Sequence, residues 1–267
     1  MSKNNILVPI DFSEQSLIAL QQSYNLAKHT GSTINLFHIA DESDKDAKGR
    51  LDKLAEEVSK KSGLATNVII AKGNMYKQII KTAEKIDAIL IIMGFEYSKR
   101  IRNIGYNAFK LLRESKCPVI TIKGKEHHNG CNNIVLPLDL TQETREKISK
   151  AVEFAKFFNS TIRVISVRSP KEIRKENKLI AYSHQVQKFI KEKGVQCTIK
   201  TLEGTDIAKL VLDYAHHEKA DLIMIMSQRE VNFKELFVGT TAQKIVNLSD
   251  VPVLSIRPMR RKSVARY

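Results

Sequence analysis

The stretch NNILVPIDFS at residues 4–13 returns as NNIVLPLDLT at residues 132–141. Sliding the chain by 128 positions superposes them, and the match runs without a gap to residue 39. Identical pairs include Asn4/Asn132, Pro9/Pro137, Asp11/Asp139, Ala27/Ala155, Lys28/Lys156 and Ile34/Ile162. Chance would supply about two identities over that length. The ends match again, GYNAFKLLRESKCPVITIK on GTTAQKIVNLSDVPVLSIR. The chain is therefore a tandem duplication. Its halves are expected at residues 1–124 and 131–258, joined by the polar link 123–131 and followed by a basic tail, 259–267.

Each half reads as strands alternating with helices. Residues 6–10 form an apolar run, and 13–30 carry Leu17, Leu20, Tyr24 and Ala27 at helical spacing up to Gly31. Further strands are expected at 34–39, 68–71, 89–93 and 118–122, with helices at 47–61, 75–85 and 108–114 between them. The strands are apolar throughout rather than alternating. That is the mark of a parallel sheet covered on both faces. The expected fold is α/β: two tandem doubly wound domains, each a five-stranded parallel sheet flanked by helices.

Composition narrows the function. No apolar run in the 267 residues reaches the roughly 18 residues of a membrane span. The opening MSKNNILVPID lacks a signal-peptide pattern, and three widely spaced cysteines form no CxxC pair. A cytoplasmic protein is the expectation. The net charge of +15 is spread over both halves, with 20 Lys and Arg against 14 Asp and Glu up to residue 128, and 24 against 15 after it. Such spreading favours solvated surfaces over a nucleic-acid site, which concentrates charge on one face. His127 and His128 lack chelate spacing. His216 and His217 after Asp213 read as a helix end before they read as a metal site, and Cys117 as a core residue. There is no GxxxxGK[ST] loop, G-x-S-x-G elbow or H-x-x-H pair, so no enzyme is indicated.

Ligands of such sheets bind beyond the carboxyl ends of the strands. The candidate residues are Asp11, Ile39, Gly94 and Gly105 in the first half, and Asp139, Val167, Ser227, Gly239, Thr240 and Thr241 in the second. Gly239-Thr240-Thr241 opens a helix, where free N–H groups hold phosphate. An ordinary helix start explains the same residues equally well. Asp11 and Asp139 equally suit the capping of the following helix.

VPIDFS, FHIA, IIMG, IGYNAF and CPVITI in the first half resemble a universal stress protein domain. LPLDLT, ISVRS, IMIMS, VGTTAQKIV and VPVLSI do so in the second. The resemblance covers nearly the whole chain and implies an adenine nucleotide alpha hydrolase-like fold. It implies a non-catalytic stress-response protein, binding ATP or AMP with magnesium in one domain, the second favoured. In that family's nucleotide-binding branch the phosphates lie on a loop of pattern G-x2-G-x9-G-[ST]. Here both loops depart from it. Tyr97 stands at the second glycine of the first half, and Gly105 comes two residues early. In the second half Ser227 and Glu230 stand for the first two glycines, and Glu230 would repel phosphate. The alternative is a nucleotide-free interaction protein. The resemblance also implies pairing through the last strands, here between the two halves of one chain. Association of two chains would then use other faces.

Overall fold

The computed structural model describes residues 4–40, 46–95, 106–123, 131–138, 144–168, 173–227 and 241–257. The first half runs β1 (Asn5–Pro9), α1 (Glu14–Thr30), β2 (Thr33–Ile39), α2 (Ala47–Ser62), β3 (Thr66–Ala71), α3 (Met75–Lys85), β4 (Ala88–Gly94), α4 (Tyr106–Glu114) and β5 (Val119–Ile122). The second runs β6 (Asn133–Leu138), α5 (Thr144–Phe158), β7 (Thr161–Arg168), α6 (Ile173–Glu192), β8 (Gln196–Glu203), α7 (Ile207–His217), β9 (Leu222–Met226), α8 (Thr241–Leu248) and β10 (Val253–Ile256). All ten strands join one sheet, ordered β3-β2-β1-β4-β5-β10-β9-β6-β7-β8. Within each half the pairing is parallel, as expected.

The halves meet at the last strands. β5 and β10 run antiparallel, with Leu254 opposite Ile120. Each strand thus covers the edge the other would leave open, which removes a template for aggregation. Two cations cross this seam in opposite directions. Lys123, just after β5, donates to the Asn247 carbonyl near the end of α8, and Arg257, just after β10, donates at 2.5 Å to the Glu114 carbonyl that ends α4. The last carbonyls of a helix lack intrahelical partners and carry partial negative charge, so both contacts are favourable.

Helices cover both faces. One core layer lies under α1, α2, α5 and α6 and takes Ile6, Val8, Ile134, Leu136 and Met226 from the sheet. The other lies under α3, α4, α7 and α8 and takes Leu7, Ile91, Val135 and Ile223. Both layers continue across the seam. The three cysteines are free thiols. Burial pushes Cys117 up to about 12 and Cys197 up to about 11, which fits core residues and not nucleophiles.

The register between the halves differs from the sequence alignment by one residue. The ladder sets Ile91 against Val119 and Gly94 against Ile122, while Ile223 faces Val253 and Met226 faces Ile256. Asp87 and Lys219, both left-handed, mark the same turn before β4 and β9. Gly94 therefore corresponds to Met226, and Ser227 to Phe95. The pairing of β1 with β4 is irregular between Asn5 and Ile6.

Candidate functional site

In each half strand order reverses between the first and fourth strands, β1 beside β4 and β6 beside β9. A ligand crevice belongs beyond the carboxyl ends there. β6 stays paired with β7 as far as Leu138, but its pairing with β9 stops at Val135. The carboxyl ends of β6 and β9 part at this point.

In the first half the pairing of β1 with β4 stops likewise, at Leu7, and α1 packs on the end of β4. A Cβ on Gly94 would lie 2.1 Å from the Gln15 carbonyl oxygen and 2.8 Å from the Ser16 nitrogen. The first turn of α1 thus rests directly on the end of β4, and Gly94 serves helix packing. Beyond β1 and β2 stands a stack of the chain's own side chains. Phe12 has φ +64. Its ring meets His38 edge-on at 5.4 Å between centroids and lies under the Arg50 guanidinium at 4.2 Å. His38 is held by a 2.7 Å hydrogen bond between Nδ1 and the Ile10 carbonyl. Ile39 ends β2 against Ala71.

Asp11 does not cap α1 directly. The cap is Ser13, whose hydroxyl accepts the Ser16 N–H at 3.2 Å. Asp11 Oδ1 in turn takes the Ser13 N–H at 2.9 Å and its hydroxyl at 2.5 Å. Partial burial pulls the Asp11 carboxyl upward, but these bonds outweigh it and hold the group below the ordinary carboxylate value. Its contribution is therefore present above that value and fades as acid protonates it. Ser13→Ala should cost about 1 kcal/mol. Urea unfolding measures this, and an unchanged midpoint would rule out the cap.

In the second half Val167 lies within β7 opposite Leu202, and Thr241 opens α8 with its side chain exposed. Ser227 is tied to β10, its N–H and hydroxyl both donating to the Ile256 carbonyl at 2.9 and 3.2 Å. It does not occupy the first glycine's place; Met226 does. Counting the family pattern from Met226 puts its second glycine at Arg229 and its third at Gly239, with Thr240 following. The interval is then intact. Gly105, Asp139, Gly239, Thr240, Arg229 and Glu230 lie outside the described residues.

Among the described residues, sequence reasoning passed over two buried cations, Lys123 at the seam and Lys147. Lys147, on α5, is only 4% exposed, and its ammonium donates at 2.5 Å to the Pro137 carbonyl near the end of β6. The 128-residue shift sets it on Ala19, on the sheet-facing stripe of α1. A lysine on an otherwise apolar stripe was the readable signal. Among the described residues no three His, Cys, Asp or Glu side chains are grouped to hold a metal, and no helix is long and apolar enough to cross a membrane.

The fold is that of tandem adenine nucleotide alpha hydrolase-like domains. The universal stress protein family profile matches residues 3–123 and again 130–257, so the chain belongs to that family. A universal stress protein of Methanocaldococcus jannaschii is 26% identical over 152 residues, covering 50% of this chain and 88% of that one. The crystal structure of a universal stress protein from Archaeoglobus fulgidus superposes with a TM-score of 0.80 at 21% identity, over 97% of this chain and 100% of the other. A functionally unknown protein of Pseudomonas aeruginosa superposes at 0.74 with 22% identity, over 96% and 93%. These two superpositions speak for the fold.

Proposed function

We propose that the protein is a non-catalytic, cytoplasmic stress-response protein that binds an adenine nucleotide, ATP or AMP, in its second half only. The observation that carries this reading is the register. Counted from Met226, Gly239-Thr240 stands at the family's own distance from the strand end. The first half offers no such interval, and its strand ends are taken by the Phe12, His38 and Arg50 stack. The ligand residues of this reading are Asp139, Val167, Gly239, Thr240 and Thr241, and magnesium would arrive as the counter-ion of the phosphates. We also propose the division at 1–124 and 131–258 with a basic tail at 259–267.

The test is release of nucleotide from the purified, denatured protein, read by mass spectrometry, with a thermal shift on adding ATP and magnesium. Gly239→Val should abolish both, because a side chain blocks backbone approach to phosphate. Gly105→Val should leave them nearly intact. The reverse order would place the nucleotide in the first half.

A second reading is a nucleotide-free interaction protein. Met226 favours it, because a side chain stands where the family pattern has its first glycine. Absence of released nucleotide together with no thermal shift would select it. Sedimentation then decides whether two chains associate.

A further inference from the structure

The net charge is spread along the sequence, but the fold gathers part of it. Helix α3 carries Lys77, Lys81 and Lys85, three exposed residues spaced four apart. Residues so spaced stand above one another on one stripe, about 6 Å apart along the axis. The helix turns Ile79, Thr82 and Ala83 inward, so the stripe points away from the core. Like charges four apart repel and weaken a helix. On α2 and α6 the same spacing serves pairs instead: Lys60 meets Glu56 at 3.9 Å, and Lys188 meets Glu192 at 4.0 Å. The ammonium groups of the α3 stripe meet no carboxylate among the described residues. Glu84, beside the stripe, is taken at 2.9 Å by Lys116, a further cation just after α4.

The duplication supplies the comparison. α7 is the copy of α3, and it has Lys209, Asp213 and His217 at the same three positions. Asp250 stands where the first half has Lys116. Over residues 72–87 and 106–116 the first half has seven Lys and Arg against three Asp and Glu. Over the matching 204–219 and 240–250 the second half has three against four. One fold thus carries a basic face in one half and a nearly neutral one in the other. Packing does not require the stripe, since α7 packs without it.

A concentrated basic face is the footprint of a polyanion site. Its exposed residues decide which polyanion. Among the described residues, none of the exposed large apolar side chains lies on α3 or α4. A membrane-bound helix inserts such residues, and a protein interface centres on them. A single-strand site would stack bases on aromatic rings, whereas Tyr76 and Phe109 pack on the core. Lysines, as compact charges on flexible stems, suit phosphate contacts that carry no sequence information. We propose that α3 and α4 of the first half dock the phosphate backbone of a nucleic-acid duplex without reading its sequence. This goes beyond the nucleotide reading and does not depend on it.

The test uses the full chain and a labelled DNA duplex of mixed sequence, read by fluorescence anisotropy over a salt series. Each phosphate contact contributes about 0.9 to the slope of log affinity against log salt. Combining Lys77→Gln, Lys81→Gln and Lys85→Gln should lower that slope by about 2 to 3 and weaken binding at least about tenfold in about 50 mM salt. The control combines Lys53→Gln, Lys60→Gln and Lys61→Gln on α2, which removes the same charge from the opposite layer. It should change affinity by less than about threefold. Arginine at the three α3 positions should bind like the wild type. Circular dichroism should show the α3 glutamine variant melting no earlier than the wild type, since repulsion is relieved. No duplex binding by the wild type would overturn the proposal. Equal weakening by the α2 and α3 variants would do so too, as the mark of net charge alone. Full binding by the α3 glutamine variant would place the duplex elsewhere and overturn it. Early melting with loss of binding in the arginine variant would show a structural role and overturn it. Phosphatidylserine vesicles or polyglutamate bound more tightly than the duplex would reveal another class of partner and overturn it as well.

Discussion

Gly94→Ala is expected to destabilise the protein by about 3 kcal/mol, near the upper end of overpacking substitutions. In a domain of this size that lowers the melting temperature by roughly 6–12 °C. The reason is the identity of the atoms in the way. The added Cβ would meet the Gln15 carbonyl carbon at 2.3 Å and its oxygen at 2.1 Å, and both are backbone. A side chain in that position could rotate aside, but a helix turn cannot. α1 would have to lift from β4, disturbing the Ser13 cap and the buried contacts of Ile18 and Ala19. A glycine kept for phosphate binding would behave differently: its alanine variant would melt normally and lose only ligand. Differential scanning calorimetry distinguishes the two, and an unchanged melting temperature would refute the packing role.

The same glycine shows where the sequence was readable and where it was not. The duplication, the ten strands and the two-faced burial could be seen because they rest on repeated identities and on long apolar runs. Helix ends were also readable, since Gly31 takes the left-handed conformation that a C-terminal glycine supplies. Register inside the apolar runs was not. A strand buried on one face betrays a one-residue slip, because its alternation turns inside out. β4 and β9 are apolar from end to end, AILIIMG and LIMIM, so a slip moves one apolar residue onto another. IIMG therefore aligns with IMIMS as well one residue out of register as in it, and only the ladder sets Gly94 on Met226 rather than on Ser227. Lys147 was legible only through the duplication: the 128-residue shift sets it on Ala19, a position on the apolar, sheet-facing stripe of α1.

The seam between the halves should be the most sensitive surface in the molecule. Leu254→Asp is expected to cost at least about 4 kcal/mol, the scale of an unpaired charge buried in a core. Leu254 is 2% exposed and sits opposite Ile120, itself 3% exposed, at the junction of β10 and β5. The two cations described at the seam, Lys123 and Arg257, are already engaged at the ends of α8 and α4. Opening the seam would also free two hydrogen-bonding edges at once, so the variant should aggregate on warming. The comparison that isolates the seam is Ile70→Asp on β3, an outer edge of the same sheet. Ile70 is 37% exposed, so its aspartate keeps water and should change stability by no more than about 0.5 kcal/mol. Chemical denaturation and light scattering measure the pair. The same substitution then reads two edges, one closed by the partner half and one open. Equal effects at the two positions would mean that β5 and β10 do not hold the halves together.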